Sequence, residues 1–173
     1  MVNSQKNHQS GKKTSNSRVA ISQLMGPEHA NNQGNVHGGY IMKLVDEVAA
    51  LACMRHAQRR VVTISIDQMV FREPIKTTDL VTLTAEISYV GNTSMEVEVN
   101  VMAENPITGE ATHTNTAFLV FVALDDQGKP TPVPRLITEN EAQEKRRLAG
   151  QKRQAYRLSR QQKSDQTETE QDG

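Results

Sequence analysis

From Leu80 to Val90 the chain alternates with period two. Val81, Leu83, Ala85, Ile87 and Tyr89 fall on one face, with Thr82, Thr84, Glu86 and Ser88 on the other. From Met95 to Ala103 the pattern repeats, with Met95, Val97, Val99, Val101 and Ala103 opposite Glu96, Glu98 and Asn100. Both runs read as half-buried strands, and the short "GNT" (91–93) between them reads as a hairpin turn. "VVTISIDQMVF" (61–71) alternates more weakly through Val62, Ile64, Ile66 and Val70. "TNTAFLVFVALD" (114–125) is β-branched and apolar on both faces, as a central strand would be. "NPITGE" (105–110) reads as a turn, and "SRVAISQLM" (17–25) as an edge strand.

Within this region only one segment has a helical period. Ile41, Leu44, Val45, Val48, Leu51 and Ala52 recur at three- and four-residue spacing, with Lys43 and Glu47 four apart on the outer side. The order of strand, loop, long helix and four strands segregates helix from sheet and predicts an α+β fold with an antiparallel sheet. A second helix is expected over 138–162, opened by a capping box from Thr138 to Glu141. Its apolar positions are few and its charges from Lys145 to Lys163 are all basic, so it reads as a solvated or partner-docked helix, the alternative being a phosphate-attracting role near a ligand mouth. The polar composition of 1–17 and 163–173 predicts disordered tails, which leaves 18–137 as the domain that can build a core.

Composition narrows the function. The 173 residues balance 20 Lys+Arg against 20 Asp+Glu, so charge gives no reason to expect nucleic acid or a membrane surface as partner. Aromatics make up 3%, too few for base-stacking platforms. The single cysteine, Cys53, cannot form an internal disulfide, and no apolar run approaches a membrane span or a secretory signal, so a cytoplasmic protein is expected. The histidines and Cys53 lack the paired spacings of a zinc site, so no metal is expected. A serine triad is not indicated, since no G-x-S-x-G elbow is present.

The candidate chemistry lies on the long helix. Asp46 shares its face with Met42, Ala49, Ala50 and Cys53, small or apolar neighbours that would desolvate a carboxylate and leave room for another group. Gly38 and Gly39 precede the helix body, where bare backbone N–H groups at a positive helix end can stabilise an oxyanion. Donors that polarise a carbonyl and an acid that activates water or attacks would make a hydrolytic pair. Read blandly, the glycines form a turn and the aspartate is solvated.

The wider stretch "PEHANNQGNVHGGYIMKLVDEVAALACMRH" resembles the hotdog-fold acyl-CoA thioesterases, the group of the brain-type cytosolic acyl-CoA hydrolase and its bacterial relatives. Asn31, Gly34, His37-Gly38-Gly39 and Asp46 stand at the family spacing, and the likeness continues through "RVVTISIDQMVFREPI", "TDLV" (78–81) and "VGNTSMEVEVNVMAENPITGE". It covers roughly residues 18–160. At His29-Ala30 the chain departs from the Asp-Thr or Asp-Ala common in the family, which puts the hydrogen bonding of that loop in question.

The resemblance implies a long helix wrapped by a curved antiparallel sheet, an acyl-CoA substrate cleaved to fatty acid and CoA without a cofactor, and a homodimer with active sites at its interface, three dimers forming a hexamer. It also implies Asp46 as general base or nucleophile, Asn31 positioning the water or the carbonyl, and the Gly39 N–H, with its neighbour Gly38, holding the thioester oxygen. His37 would shape the loop at the substrate, Thr93 and Ser94 of the "GNTS" turn would touch CoA, and Arg72 would either reach a phosphate or stay solvated. His56 reads as a favourable charge or a cap at the helix end, and Cys53 as helix packing or a lining of the acyl pocket. The alternative to an enzyme is a non-catalytic acyl-CoA-binding or regulatory hotdog module; a dehydratase would need a His/carboxylate arrangement not found here.

Overall fold

A computed structural model describes residues 11–171, without the side chains of Gln68 and of residues 161–171. The elements are β1 (Lys12–Lys13), α1 (Thr14–Ser17), β2 (Val19–Leu24), a 3-10 turn (Pro27–His29), α2 (Gly38–Ala57), β3 (Arg60–Met69), β4 (Leu80–Val90), β5 (Ser94–Glu104), β6 (Ala111–Leu124), β7 (Leu136–Ile137) and α3 (Glu141–Gln171).

Five strands form one antiparallel sheet in the order β2-β4-β5-β6-β3, so β2 and β3 are its edges, β5 is central, and β6, expected as a central strand, is an interior one between β5 and β3. Register shifts in the β3–β6 ladder and beside Tyr89 in the β4–β5 ladder are where extra residues bend the strands and curve the sheet around α2. The helix buries Ile41, Leu44, Val45, Val48, Ala49 and Ala52 against the inward positions of β4, β5 and β6. Alanines at 49 and 52 let its axis approach the sheet closely. Cys53 is fully buried in this packing, and burial pushes its thiol pKa well up, so it is a core residue.

Part of the outer face of the sheet is covered by α3, which docks on its own chain rather than standing in solvent. Glu96, read from the pattern as a solvent-side residue of β5, has a side chain with no exposure. Arg153 grips it through Nε–Oε2 at 3.1 Å and Nη2–Oε1 at 2.7 Å, Arg157 Nη2 donates to Oε2 at 2.9 Å, and Ser88 Oγ to Oε1 at 2.6 Å. Burial alone would raise the Glu96 pKa; the guanidiniums and the Ser88 hydroxyl outweigh it and hold the carboxyl below its ordinary range. Arg157 also pairs with Asp67 of β3, Arg146 pairs with Glu86 of β4, and Arg153 lies over the Phe118 ring at 3.8 Å. Gly150 permits this contact, because a Cβ there would stand 2.7 Å from the Tyr89 Cβ.

The expected boundaries move at both ends. Asn140, not Thr138, caps α3: its Oδ1 accepts from Gln143 N at 2.9 Å, while Thr138 Oγ1 donates to Glu144 at 3.0 Å. The helix continues through Gln171, past the expected stop at 162. Residues 12–17 are ordered, against the expectation for 1–17, whose first ten lie outside the described residues. Here β1 pairs parallel with β7, and Thr14 and Ser17 are buried. They enclose His56, which is buried rather than an exposed helix-end charge; its Nε2 lies 2.9 Å from Pro134 O and its Nδ1 3.4 Å from Ser17 Oγ. Burial lowers its pKa, the Pro134 carbonyl opposes this and the Lys12 ammonium adds to it, so the ring favours the neutral form.

Candidate functional site

The loop before α2 is built by Asn31. Its Oδ1 accepts from Gln33 N at 2.8 Å and Asn35 N at 3.2 Å, closing a turn that Gly34 passes with φ +82°. Its Nδ2 has no partner among the described residues and is a donor available to a ligand. Val36 N donates to Ile75 O at 2.8 Å, which fixes the loop to the segment before β4. His29 supplies the hydrogen bonding that the family departure left in question: Nδ1 accepts from Gly26 N at 2.9 Å, its carbonyl accepts from His37 N at 2.8 Å, and its ring stacks on Tyr40. Asn31, Gly38 and Arg72 line one cavity of about 330 Å³, whose wall includes Phe71 and Ile75. A Cβ on Gly38 would come within 3.4 Å of the Phe71 ring.

Gly38 and Gly39 form the first turn of α2, and His37 is its N-cap. The Gly39 N–H expected to hold a substrate oxygen is engaged here: it donates to His37 Nδ1 at 2.9 Å. His37 is thus a cap on the donor as well as a residue of the loop. Among the described residues the Gly38 N–H has no hydrogen-bond partner.

Asp46 lies seven residues beyond Gly39, which on an α-helix is about 10 Å along the axis. It is half-buried, and its Oδ1 accepts a hydrogen bond from Thr63 Oγ1 of β3 at 2.8 Å. The sequence does not single out Thr63, because a threonine in an alternating run signals only a strand. Of the neighbours expected on the Asp46 face, Ala49 and Cys53 are buried and Met42 is 42% exposed. β3 presents Val62, Ile64 and Ile66 at 41–55% exposure along an unpaired edge, with Met54 of α2 also exposed.

Thr93 and Ser94 sit at the other end of the sheet from Gly38. The β4–β5 turn packs beside Ala123, at the C-terminal end of α2, where β3 begins, whereas Gly38 lies by Phe71, just after β3 ends. One chain therefore groups Asn31, Gly38, Gly39 and Arg72 in one place, Asp46 with Thr63 in a second, and Thr93 with Ser94 in a third. Among the described residues there is no cluster of side chains able to hold a metal ion, and no helix is long and apolar enough to cross a membrane.

Residues 33–110 match the family model described as the thioesterase superfamily. An uncharacterized acyl-CoA thioester hydrolase of Bacillus subtilis is 42% identical over 125 residues, 72% of this chain and 73% of that protein. The acyl-CoA hydrolase of Staphylococcus aureus, solved with butyryl-CoA, CoA and CoA disulfide, superposes with a TM-score of 0.83 at 35% identity, covering 90% of this chain and 95% of the other. A hexameric acyl-CoA thioesterase gives 0.84 at 36% identity, over 87% and 97%. Further structures of the Staphylococcus aureus hydrolase replace an asparagine, an aspartate and a threonine by alanine. The aspartate follows the asparagine by 15 positions and precedes the threonine by 17, the spacings of Asn31, Asp46 and Thr63 here.

Proposed function

The chain belongs to the thioesterase superfamily, and from this membership we infer its reaction: it hydrolyses acyl-CoA thioesters to the free acid and CoA. The observation that carries a site for this reaction is the Thr63–Asp46 hydrogen bond beside an unpaired apolar edge strand. A carboxylate about 10 Å along the helix from Gly39 is too far to act on a carbonyl held at its own glycines. A second copy joined edge to edge through β3 removes that difficulty. An antiparallel β3–β3 pairing buries Val62, Ile64 and Ile66 and brings the Asn31–Gly39 end of one chain toward the middle and C-terminal end of the partner's α2.

In this reading the thioester oxygen lies on the Gly39 and Gly38 amides of one chain and the partner's Asp46 faces the carbonyl carbon. Asn31 Nδ2 donates to a lone pair of the attacking water, and Asp46 takes its proton as the new C–O bond forms. Negative charge develops on the oxygen at the helix N-terminus, where fixed N–H dipoles meet it without reorganising. Collapse expels the CoA thiolate, which takes up a proton, so one water is consumed for each thiol released. Thr63 is a positioning residue: by engaging Oδ1 it leaves Oδ2 to face the water. Arg72, with the partner's Thr93 and Ser94, contacts CoA. A hexameric relative supports three such dimers, and a lone unpaired cysteine supports a cytoplasmic setting.

Release of free thiol from acyl-CoA, followed with a chromogenic disulfide, tests the assignment. Asp46→Ala is expected to lower turnover at least a hundredfold while the sedimentation profile stays that of wild type. Wild-type turnover in that variant would remove Asp46 from the chemistry, and saturable binding with no thiol release by the wild type would make the protein a sensor.

A further inference from the structure

We propose that the His37 imidazole occupies the thioester-oxygen position in the free protein and is the group that the substrate displaces. His37 is then a positioning residue that tunes how strongly the site prefers a carbonyl. The proposal rests on Gly39 as the oxyanion donor of the reading above. The geometry for it is direct: His37 Nδ1 stands 2.9 Å from Gly39 N, within the roughly 2.7–3.1 Å at which an oxyanion donor meets its oxygen. The ring also lies close over the residue, since a Cβ on Gly39 would be 3.1 Å from both Cε1 and Nδ1. An oxygen and this ring nitrogen cannot share the N–H. The absent side chain at position 39 is what lets either one approach.

Within the described residues of its own chain nothing but Gly39 holds the ring. His37 is exposed, and the Gly39 contact is the one hydrogen bond of its side chain among the described residues. Its backbone is held separately, by His37 N donating to His29 O at 2.8 Å and by Tyr40 N donating to His37 O at 2.9 Å. Rotation about χ1 therefore uncovers Gly39 without disturbing the loop. As an acceptor, Nδ1 carries no proton, which places the ring proton on Nε2. In the free protein the imidazole satisfies a helix-end donor that would otherwise be left to water. On binding, one N–H···N bond is exchanged for one N–H···O bond, so the cap subtracts from the affinity of ligands that offer an oxygen and leaves untouched those that do not.

Two non-hydrolysable probes separate these effects. One is the ketone analogue of butyryl-CoA with CH2 in place of sulfur; the other is S-butyl-CoA, which has no carbonyl oxygen. The measured quantity is the ratio of their Kd values, thioether over ketone, by calorimetry on the full-length wild-type protein, His37→Phe and His37→Asn. His37→Phe keeps a ring but removes the acceptor, and is expected to raise the ratio about three- to tenfold, the weight of one ordinary hydrogen bond. His37→Asn restores a capping oxygen and is expected to return the ratio to the wild-type value. Thermal melts confirm that both variants fold. A wild-type ratio above one that His37→Phe leaves unchanged, or an equal tightening of both probes, overturns this proposal alone. A ratio of one in all three proteins shows instead that Gly39 holds no oxygen, and overturns the site reading together with the proposal built on it.

Discussion

If Asn31 acts from one chain and Asp46 from its partner, two dead variants mixed in one assembly restore activity. Asn31→Ala homodimers lack the asparagine in both sites, and Asp46→Ala homodimers lack the acid in both. A mixed dimer holds one site with both residues intact and one with neither. Random pairing of equal amounts makes half the dimers mixed, so about a quarter of all sites are whole, and the mixture is expected to show about a quarter of wild-type turnover. The expectation follows from geometry, because seven helical residues put Asp46 about 10 Å beyond its own Gly39. Co-expression with two affinity tags, tandem purification and dissociation to dimers isolates the mixed dimer, which should reach about half of wild-type thiol release per dimer. Activity no higher than the sum of the two parents would place both residues on one chain and refute the shared site.

Three further perturbations probe the scaffold. Ile64→Lys puts an ammonium on the exposed edge of β3, where the side chain is 55% exposed; sedimentation velocity should show smaller species, with thiol release lost in parallel. Glu96→Ala strips the counter-charge from Arg153 and Arg157, and should cost about 3 kcal/mol by chemical denaturation, near the low end for a buried pair because Arg153 is 29% exposed and can rehydrate. Since the folded His56 pKa is depressed below its ordinary 6.5, the unfolded chain binds the proton first. Stability is therefore full above about pH 6.5 and declines as pH falls from there toward the folded value. His56→Gln, which can still donate to Pro134, should flatten the fall in melting midpoint between about pH 7 and 5.5, and an unchanged slope would exonerate His56.

The parts legible in the chain are those whose information is local. Period two in Leu80–Val90 and Met95–Ala103 marks a hairpin wherever it lands, and the three-and-four spacing from Ile41 to Ala52 marks one buried helix face. What escaped depends on partners distant in sequence. Glu96 reads as solvent-facing because the arginines that enclose it lie more than fifty residues away. Lys12 to Ser17 look too polar to order, yet their hydrogen-bonding partners come from β7, the α2 terminus and Glu139. Thr138 has the sequence of a cap, but its hydroxyl is taken by the Glu144 carboxylate and it is Asn140 that holds the Gln143 amide. In the site, Asp46 stood out as an acid among small apolar residues, whereas Thr63 needed coordinates.

The Arg157 side chain holds Glu96 of an inner strand and Asp67 of the border strand at once. It acts as a tie rod across the back of the sheet, and the strand it restrains is the one that carries Thr63. Shortening the protein ahead of this arginine would thus do more than trim a surface appendage. It would slacken the frame on which the acid is mounted, and catalytic alignment would suffer before the fold itself gave way.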